Sequence, residues 1–305
     1  MSINWFPGHM HKASKEIKKI LPQVDLVIEI LDARIPYSSD NPMLATLRGD
    51  KPCIKILNKC DLADPEVTLE WQTYLEQDKF VKTLALNNHQ TDKIRKLISL
   101  CHKMIPGRET GIKPLQAMIM GIPNVGKSTL INILAGKSIT KTGNEPAVTK
   151  CQQRIKLENN IILIDTPGML WPKFEHPNIG YRLATTGAIR DTAIDHGDVA
   201  FFAAHFLLQQ YPEKLMQRFQ LQQLPDSELE LMEIIGKKKG CLRAGGQVEL
   251  DKVCKIFLTE YRDGSMGAIS LETPDSMQRE MIEIENSQQE KAARKAARKK
   301  AWKNS

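Results

Sequence analysis

Residues 115–130 read LQAMIMGIPNVGKSTL. The stretch from Leu115 to Met120 is apolar except for Gln116 and has the length of a buried strand. Gly121-Ile-Pro-Asn-Val-Gly126-Lys127-Ser128 then fits the spacing G-x-x-x-x-G-K-[ST], and the residues after it continue as a helix. Strand, glycine loop and helix in that order form the context a phosphate-binding loop requires. The glycines let backbone N–H groups turn inward around phosphate oxygens, and the helix N-terminus adds partial positive charge. In such a loop Lys127 reaches the β- and γ-phosphates and the Ser128 hydroxyl ligates Mg2+.

Outward from this loop, strand-like runs alternate with helical ones. DLVIEIL (25–31), PCIKIL (52–57) and the stretch 82–86 read as strands, with helices around 41–49 and 65–79. Thr91 to Met104 has helical spacing, with Ile94, Leu97, Ile98 and Cys101 on one face. The alternation predicts an α/β domain whose mostly parallel sheet is flanked by helices. Residues 105–114 hold two prolines and two glycines and read as a linker. Two further strands, 152–158 and 161–165, are joined by Asn159-Asn160 as a tight hairpin. Beyond Gly168 the pattern turns helical to about 265, with a strongly amphipathic stretch from Asp195 to Phe219. The division this suggests is an N-terminal segment (1–20), a nucleotide domain (21–175), a smaller all-α domain (176–282) and a basic tail (283–305).

Three more motifs belong with the phosphate loop. Asn58-Lys59-Cys60-Asp61 follows the strand PCIKIL. Its aspartate can accept two hydrogen bonds from the N1–H and N2–H2 edge of guanine, a pair adenine does not offer. Asn58 would hold the loop and the Lys59 stem would lie over the base. By itself N-K-x-D reads better as an Asx-type turn; beside a phosphate loop it reads as a guanine site. Asp165-Thr-Pro-Gly168 ends the strand IILID and fits D-x-x-G: Asp165 would hold Mg2+ through water and the Gly168 N–H would bond the γ-phosphate. Thr149 lies where a Mg2+-binding switch threonine belongs; the alternative is an ordinary loop threonine. With Leu86 and Asn87 as the last base-contact loop, the GTP-binding set is Asn58, Lys59, Cys60, Asp61, Leu86, Asn87, Asn124, Val125, Gly126, Lys127, Ser128, Thr129 and Gly168.

The motif order is informative. G proteins usually run phosphate loop, switch threonine, D-x-x-G, N-K-x-D. Here N-K-x-D comes first, so the same cycle is cut at another point, with 105–114 as the join. One consequence is that D-x-x-G leads straight into the helical region.

These features resemble the YlqF/YawG group of circularly permuted P-loop GTPases, and within it the ribosome biogenesis GTPase A family, over about residues 3–275. The resemblance rests on Asn4-Trp-Phe-Pro-Gly-His9-Met10, Asp32-Ala-Arg-Ile-Pro36, the four nucleotide motifs, Gly240-Cys-Leu-Arg-Ala-Gly-Gly246 and Asp263 to Glu272 (DGSMGAISLE). It implies a cytoplasmic GTPase of late large-subunit (50S) ribosome assembly, slow alone and stimulated by that subunit. It also implies that the helical domain binds rRNA, that GTP and GDP alternate in the site, that Mg2+ is required and that the free protein is a monomer. No polar side chain follows Gly168, where Met169 and Leu170 stand; the resemblance puts His9 in the role of orienting the water or acting as base. The alternative for His9 is a contact to RNA or a local cap. Asn124 is similar to the asparagine of potassium-dependent GTPases, with its carbonyl on K+; the alternative is a turn asparagine. The chain departs from the family pattern at Ala147, where glycine is usual, at Ala85-Leu86-Asn87, which lacks the usual serine, and in its basic tail.

Composition sets the outer bounds. The chain has 305 residues, 41% hydrophobic and 26% charged, with net charge +7. Residues 291–305 carry Lys291, Arg294, Lys295, Arg298, Lys299, Lys300 and Lys303 and no acid, so the basic excess is a property of the tail. Such a block binds phosphate or stays a solvated arm. The longest apolar run, Val199 to Leu208, is far short of the ~20 residues a membrane span needs, and no secretory signal is visible. Six scattered cysteines without a C-x-x-C pair read as reduced thiols rather than a disulfide or zinc framework. A regulatory G protein with a protein partner is the main competing function. A metabolite phosphotransferase is disfavoured by N-K-x-D, and a small-subunit assembly GTPase by the short segment before the first strand.

Overall fold

The computed structural model describes residues 3, 6, 8–87, 90–107, 113–140, 153–157 and 159–303, with the side chains of 9, 91, 92, 293 and 296–303 excepted. The chain begins with α1 (Gly8–Ile20), then β1 (Leu26–Asp32), α2 (Pro36–Ser39), α3 (Pro42–Arg48), β2 (Cys53–Asn58), α4 (Pro65–Leu75), β3 (Val81–Leu86) and α5 (Thr91–Met104). It continues through β4 (Leu115–Gly121), α6 (Lys127–Ala135), β5 (Gln153–Lys156) and β6 (Ile161–Asp165). The helical region comprises α7 (Pro177–Thr185), α8 (His196–Gln210), α9 (Pro212–Phe219), α10 (Glu228–Lys238), α11 (Leu250–Arg262) and α12 (Pro274–Lys303).

The six strands form one sheet in the order β3-β2-β1-β4-β6-β5. All pairings are parallel except β5 with β6, the expected hairpin. Every residue of β1 and β2 is buried, as sheets covered on both faces require. The topology makes the permutation visible in space. β4, which carries the phosphate loop, sits in the middle; counting on from it through the hairpin and then back to β1, β2 and β3 restores the usual motif order. The register places Asp32 beside Asn58 and Ile30 beside Gly121. The C-terminal ends of β4, β1 and β2 are therefore adjacent, with the chain running in opposite directions across the sheet from that point. Such a switch point is where open α/β sheets bind ligands.

The amphipathic stretch read as Asp195 to Phe219 is two helices, α8 and α9. The break is at Tyr211-Pro212: proline has no N–H for an interior helical bond but suits a first turn. α8 packs against α7, α9, α10 and α11 and buries Val199, Ala200, Ala203, Ala204 and Leu207. A second small core joins the two regions: Met277 of α12 packs with Leu31, Leu57, Ala63 and Trp71. α12 is one continuous helix from Pro274 to Lys303, so the basic tail is helical as far as it is described. Its buried positions end at Glu280; the described side chains beyond it are mostly exposed. Among the described residues no helix is long and apolar enough to cross a membrane.

Candidate nucleotide-binding site

The phosphate loop spans 121–127 between β4 and α6. Gly121 has no alternative: a Cβ there would lie 2.6 Å from the backbone carbonyl oxygen of Ile30 in β1. Asn124 and Gly126 both take left-handed backbone angles, φ 57° and 95°. These turns curl the loop and start α6 at Lys127, placing Ser128 and Thr129 in its first turn.

Lys127 and Asp165 face each other at this loop. Lys127 Nζ lies 3.3 Å from Asp165 Oδ1, with both side chains buried. Burial pushes the lysine pKa down and the aspartate pKa up, and each partner opposes that shift in the other. Asp165 Oδ2 is buried with no hydrogen-bond partner. A buried carboxylate oxygen left unsatisfied is costly, and a divalent cation with its water shell would satisfy it. The donor set of Asp165 and the Ser128 hydroxyl is all oxygen, as Mg2+ prefers.

D-x-x-G closes over the same loop. Gly168 approaches so near that a Cβ would lie 3.0 Å from Pro123 Cα, a contact that favours glycine. The Met169 N–H donates to the Gly121 carbonyl at 3.1 Å, and the Met169 carbonyl accepts from Asn41 Nδ2 at 3.1 Å. Met169 and Leu170 are buried, so the position where many GTPases present a glutamine is committed to the core. The Leu170 N–H points at Met10 Sδ, 3.5 Å away. Met10 follows His9 in α1. The backbone of His9 therefore sits beside the D-x-x-G loop, while its side chain lies outside the described residues.

The residues expected to read the base come off β2. Asn58 Nδ2 donates to the Val125 carbonyl at 2.7 Å, and Asn58 Oδ1 is buried without a partner. Lys59 has a left-handed backbone (φ 59°), the Cys60 N–H donates to the Leu86 carbonyl at 3.3 Å, and Asp61 is exposed. Leu86 is paired with Asn58 across β3 and β2, and Asn87 follows it, half-buried.

The sheet thus brings together Asn58, Lys59, Cys60, Asp61, Leu86, Asn87, Asn124, Val125, Gly126, Lys127, Ser128, Thr129, Asp165 and Gly168. Thr149 lies outside the described residues. Asn124, read for K+, donates its side-chain amide to the Gly187 carbonyl just past α7 at 2.8 Å. Sequence reading missed Asn41 and Gly187 and gave no role to Asp32 or Arg34. The run Asp32-Ala-Arg-Ile-Pro36 was itself the available signal, a charged pair breaking an apolar strand end.

Residues 116–230 match the family model described as 50S ribosome-binding GTPase. Ribosome biogenesis GTPase A of Bacillus pumilus is 45% identical over 283 residues, covering 90% of this chain and 100% of the relative. Mitochondrial ribosome-associated GTPase 1 of Xenopus tropicalis is 30% identical over 294 residues, covering 88% and 94%. Among solved structures, GNP-bound YlqF from Thermotoga maritima aligns with TM-score 0.63 and 26% identity, over 87% of this chain and 99% of that one. With these relatives matched from end to end and the nucleotide motifs gathered on one sheet edge, the chain belongs to the ribosome biogenesis GTPase A family.

Proposed function

We propose that the protein is a cytoplasmic GTP-hydrolysing assembly factor for late maturation of the large (50S) ribosomal subunit, docking on rRNA with GTP bound and leaving after hydrolysis. The observation that carries this reading is the direct link between Asn124 of the phosphate loop and Gly187 of the helical region. Through this hydrogen bond a change at the phosphates would reach the region that would hold RNA. The names of the relatives support the ribosome as the partner, and the Asn124–Gly187 hydrogen bond supports a coupling between nucleotide and helical region.

In this reading Asp61 takes the guanine edge and Asn58 ties the base loop to the phosphate loop. Lys127 exchanges Asp165 for the β- and γ-phosphates. Ser128, Thr149 and, through water, Asp165 would hold Mg2+, which when bound neutralises phosphate charge. Asn124 would offer its carbonyl to K+ beside the phosphates. Met10 against Leu170 supports placing His9 near the attacking water, where imidazole can orient it or take its proton. Residues 176–282 form the RNA-binding domain. Beyond Glu280, α12 continues as a helix to Lys303, a length of roughly 35 Å. Its seven basic residues would make docking steeply dependent on salt.

The test is GTP turnover by the purified protein, alone and with 50S or 30S subunits. Strong stimulation by 50S and little by 30S is expected. No stimulation by either would move the assignment to a regulatory switch with a protein partner.

A further inference from the structure

Lys59 Nζ, in the base-reading loop, donates to Asp32 Oδ2 at 3.1 Å. Asp32 is gripped a second time by Arg34, whose Nε donates to Oδ1 at 2.9 Å and Nη2 to Oδ2 at 2.8 Å. The Arg34 backbone N–H also donates to Oδ1, at 3.1 Å. Two parallel donors from a planar guanidinium fix the plane of a carboxylate as one ammonium cannot. Asp32 and Arg34 are 2% and 1% exposed. Burial alone would raise the Asp32 pKa, but Arg34 and then Lys59 overcome it and hold the carboxyl well below its usual range.

The far side of Arg34 belongs to the helical region. Its guanidinium carbon lies 5.2 Å from the centre of the Tyr261 ring, and its carbonyl accepts the Leu271 N–H at 2.8 Å. The same segment also grips the chain just after the base loop. The Ile269 N–H donates to the Leu62 carbonyl at 2.9 Å and the Asp64 N–H to Ser270 Oγ at 3.1 Å. Gly264, at φ 82°, is so close that a Cβ would lie 2.6 Å from Leu62 Cδ2. Residues 58–61 are therefore bracketed, by Asp32–Arg34 on one side and Leu62–Asp64 on the other, and residues 261–271 hold both brackets.

We propose that Arg34 is a positioning residue for base recognition: through Asp32 it fixes Lys59, and it does so while residues 261–271 are docked on it, so guanine binding and docking of the helical region strengthen each other. The proposal rests on reading Asn58–Asp61 as the guanine site. It gives the helical region a route to the nucleotide separate from the γ-phosphate, one that GDP engages as well as GTP. By linkage the coupling is reciprocal: whatever factor docking adds to base affinity, the base adds to docking.

A double-mutant cycle on the full-length protein tests it, reading GDP affinity by displacement of a fluorescent GDP. Lys59→Met should weaken GDP roughly 10- to 100-fold, the size of a lost charge-assisted hydrogen bond. Tyr261→Leu should weaken it about 3- to 10-fold, the size of a cation–π contact. The Lys59→Met/Tyr261→Leu variant should bind no worse than Lys59→Met, and Tyr261→Phe, which keeps the ring, should restore affinity. Inorganic triphosphate, which has no base, should bind wild type and Tyr261→Leu alike. Additive losses, or an equal loss of triphosphate binding, would overturn the proposal. If Tyr261→Leu does not fold, hydrogen exchange on wild type decides: the Ile269 and Leu271 amides should gain protection with GDP but not with triphosphate, and no gain overturns it. Asp61→Asn separates the two layers. It should move preference from GDP to xanthosine diphosphate; unchanged GDP binding removes the base-reader reading, whereas the expected switch with an additive cycle removes the coupling alone.

Discussion

Asn58 Nδ2 donates to the Val125 carbonyl at 2.7 Å, so the loop proposed to read the base and the loop proposed to cradle the phosphates are one hydrogen-bonded unit. A nucleotide bridging them meets two surfaces already held at the right spacing, which lowers the ordering cost of binding.

Removing that link should weaken GDP and GTP alike. Asn58→Ala leaves the Val125 carbonyl without its donor, and Asn58→Asp sets an acceptor against it. The expected loss is about 10- to 100-fold in affinity for either nucleotide, larger for aspartate, read by equilibrium titration. A loss confined to GTP would mean the link acts through the γ-phosphate instead.

Lys127→Met should abolish hydrolysis and also destabilise the nucleotide-free protein. It strands Asp165, whose Oδ2 already has no partner, as a buried charge. Breaking such a pair costs about 3–5 kcal/mol. Adding Asp165→Asn should recover most of that in chemical denaturation while leaving turnover dead. Retained hydrolysis in Lys127→Met would remove the phosphate-loop assignment.

His9→Ala should slow subunit-stimulated turnover with little change in GTP affinity, because a group that positions water acts in the transition state and not in the ground state. The comparison is single-turnover rate against equilibrium Kd. Unchanged turnover would make His9 structural.

Glu29 makes stability depend on pH. In the covered β1 strand, burial and then the nearby Asp40 push its pKa up to about 7, against Lys55, which lies 3.6 Å away. The folded state therefore keeps a proton that the unfolded state releases near its ordinary pKa of 4.5. Stability from this group is full below pH 4.5 and is lost as pH rises through 7. Between pH 5 and 8 the loss should be roughly 2–3 kcal/mol, and Glu29→Gln should flatten that slope in urea denaturation.

The nucleotide motifs were legible because each is a local pattern with a local physical reason. A glycine loop between strand and helix, an acid placed for guanine and an acid ending a strand need no distant residue to be recognised. The fold followed from the same source: buried runs alternating with amphipathic ones allow a parallel sheet, and motif order revealed the permutation. The break at Tyr211 was less visible, since apolar spacing continues across it; Pro212 was the clue, and it carries weight only against a preceding helix.

The sequence by itself determined the sheet, the strand–loop–helix of the phosphate loop and the turn that follows β2, because strand burial, helix N-termini and turn chemistry act over a few residues. Only the tertiary structure decided who holds those loops in place. Arg34 meets Tyr261, Asn124 meets Gly187, and Gly168 rests on Pro123. These contacts join residues tens to hundreds of positions apart, and nothing in local spacing encodes them. The first two exist because packing a helical region against the loop edge of the sheet leaves buried charges and amides that must find their partners across the boundary, and the third because D-x-x-G folds back onto the phosphate loop within the sheet domain.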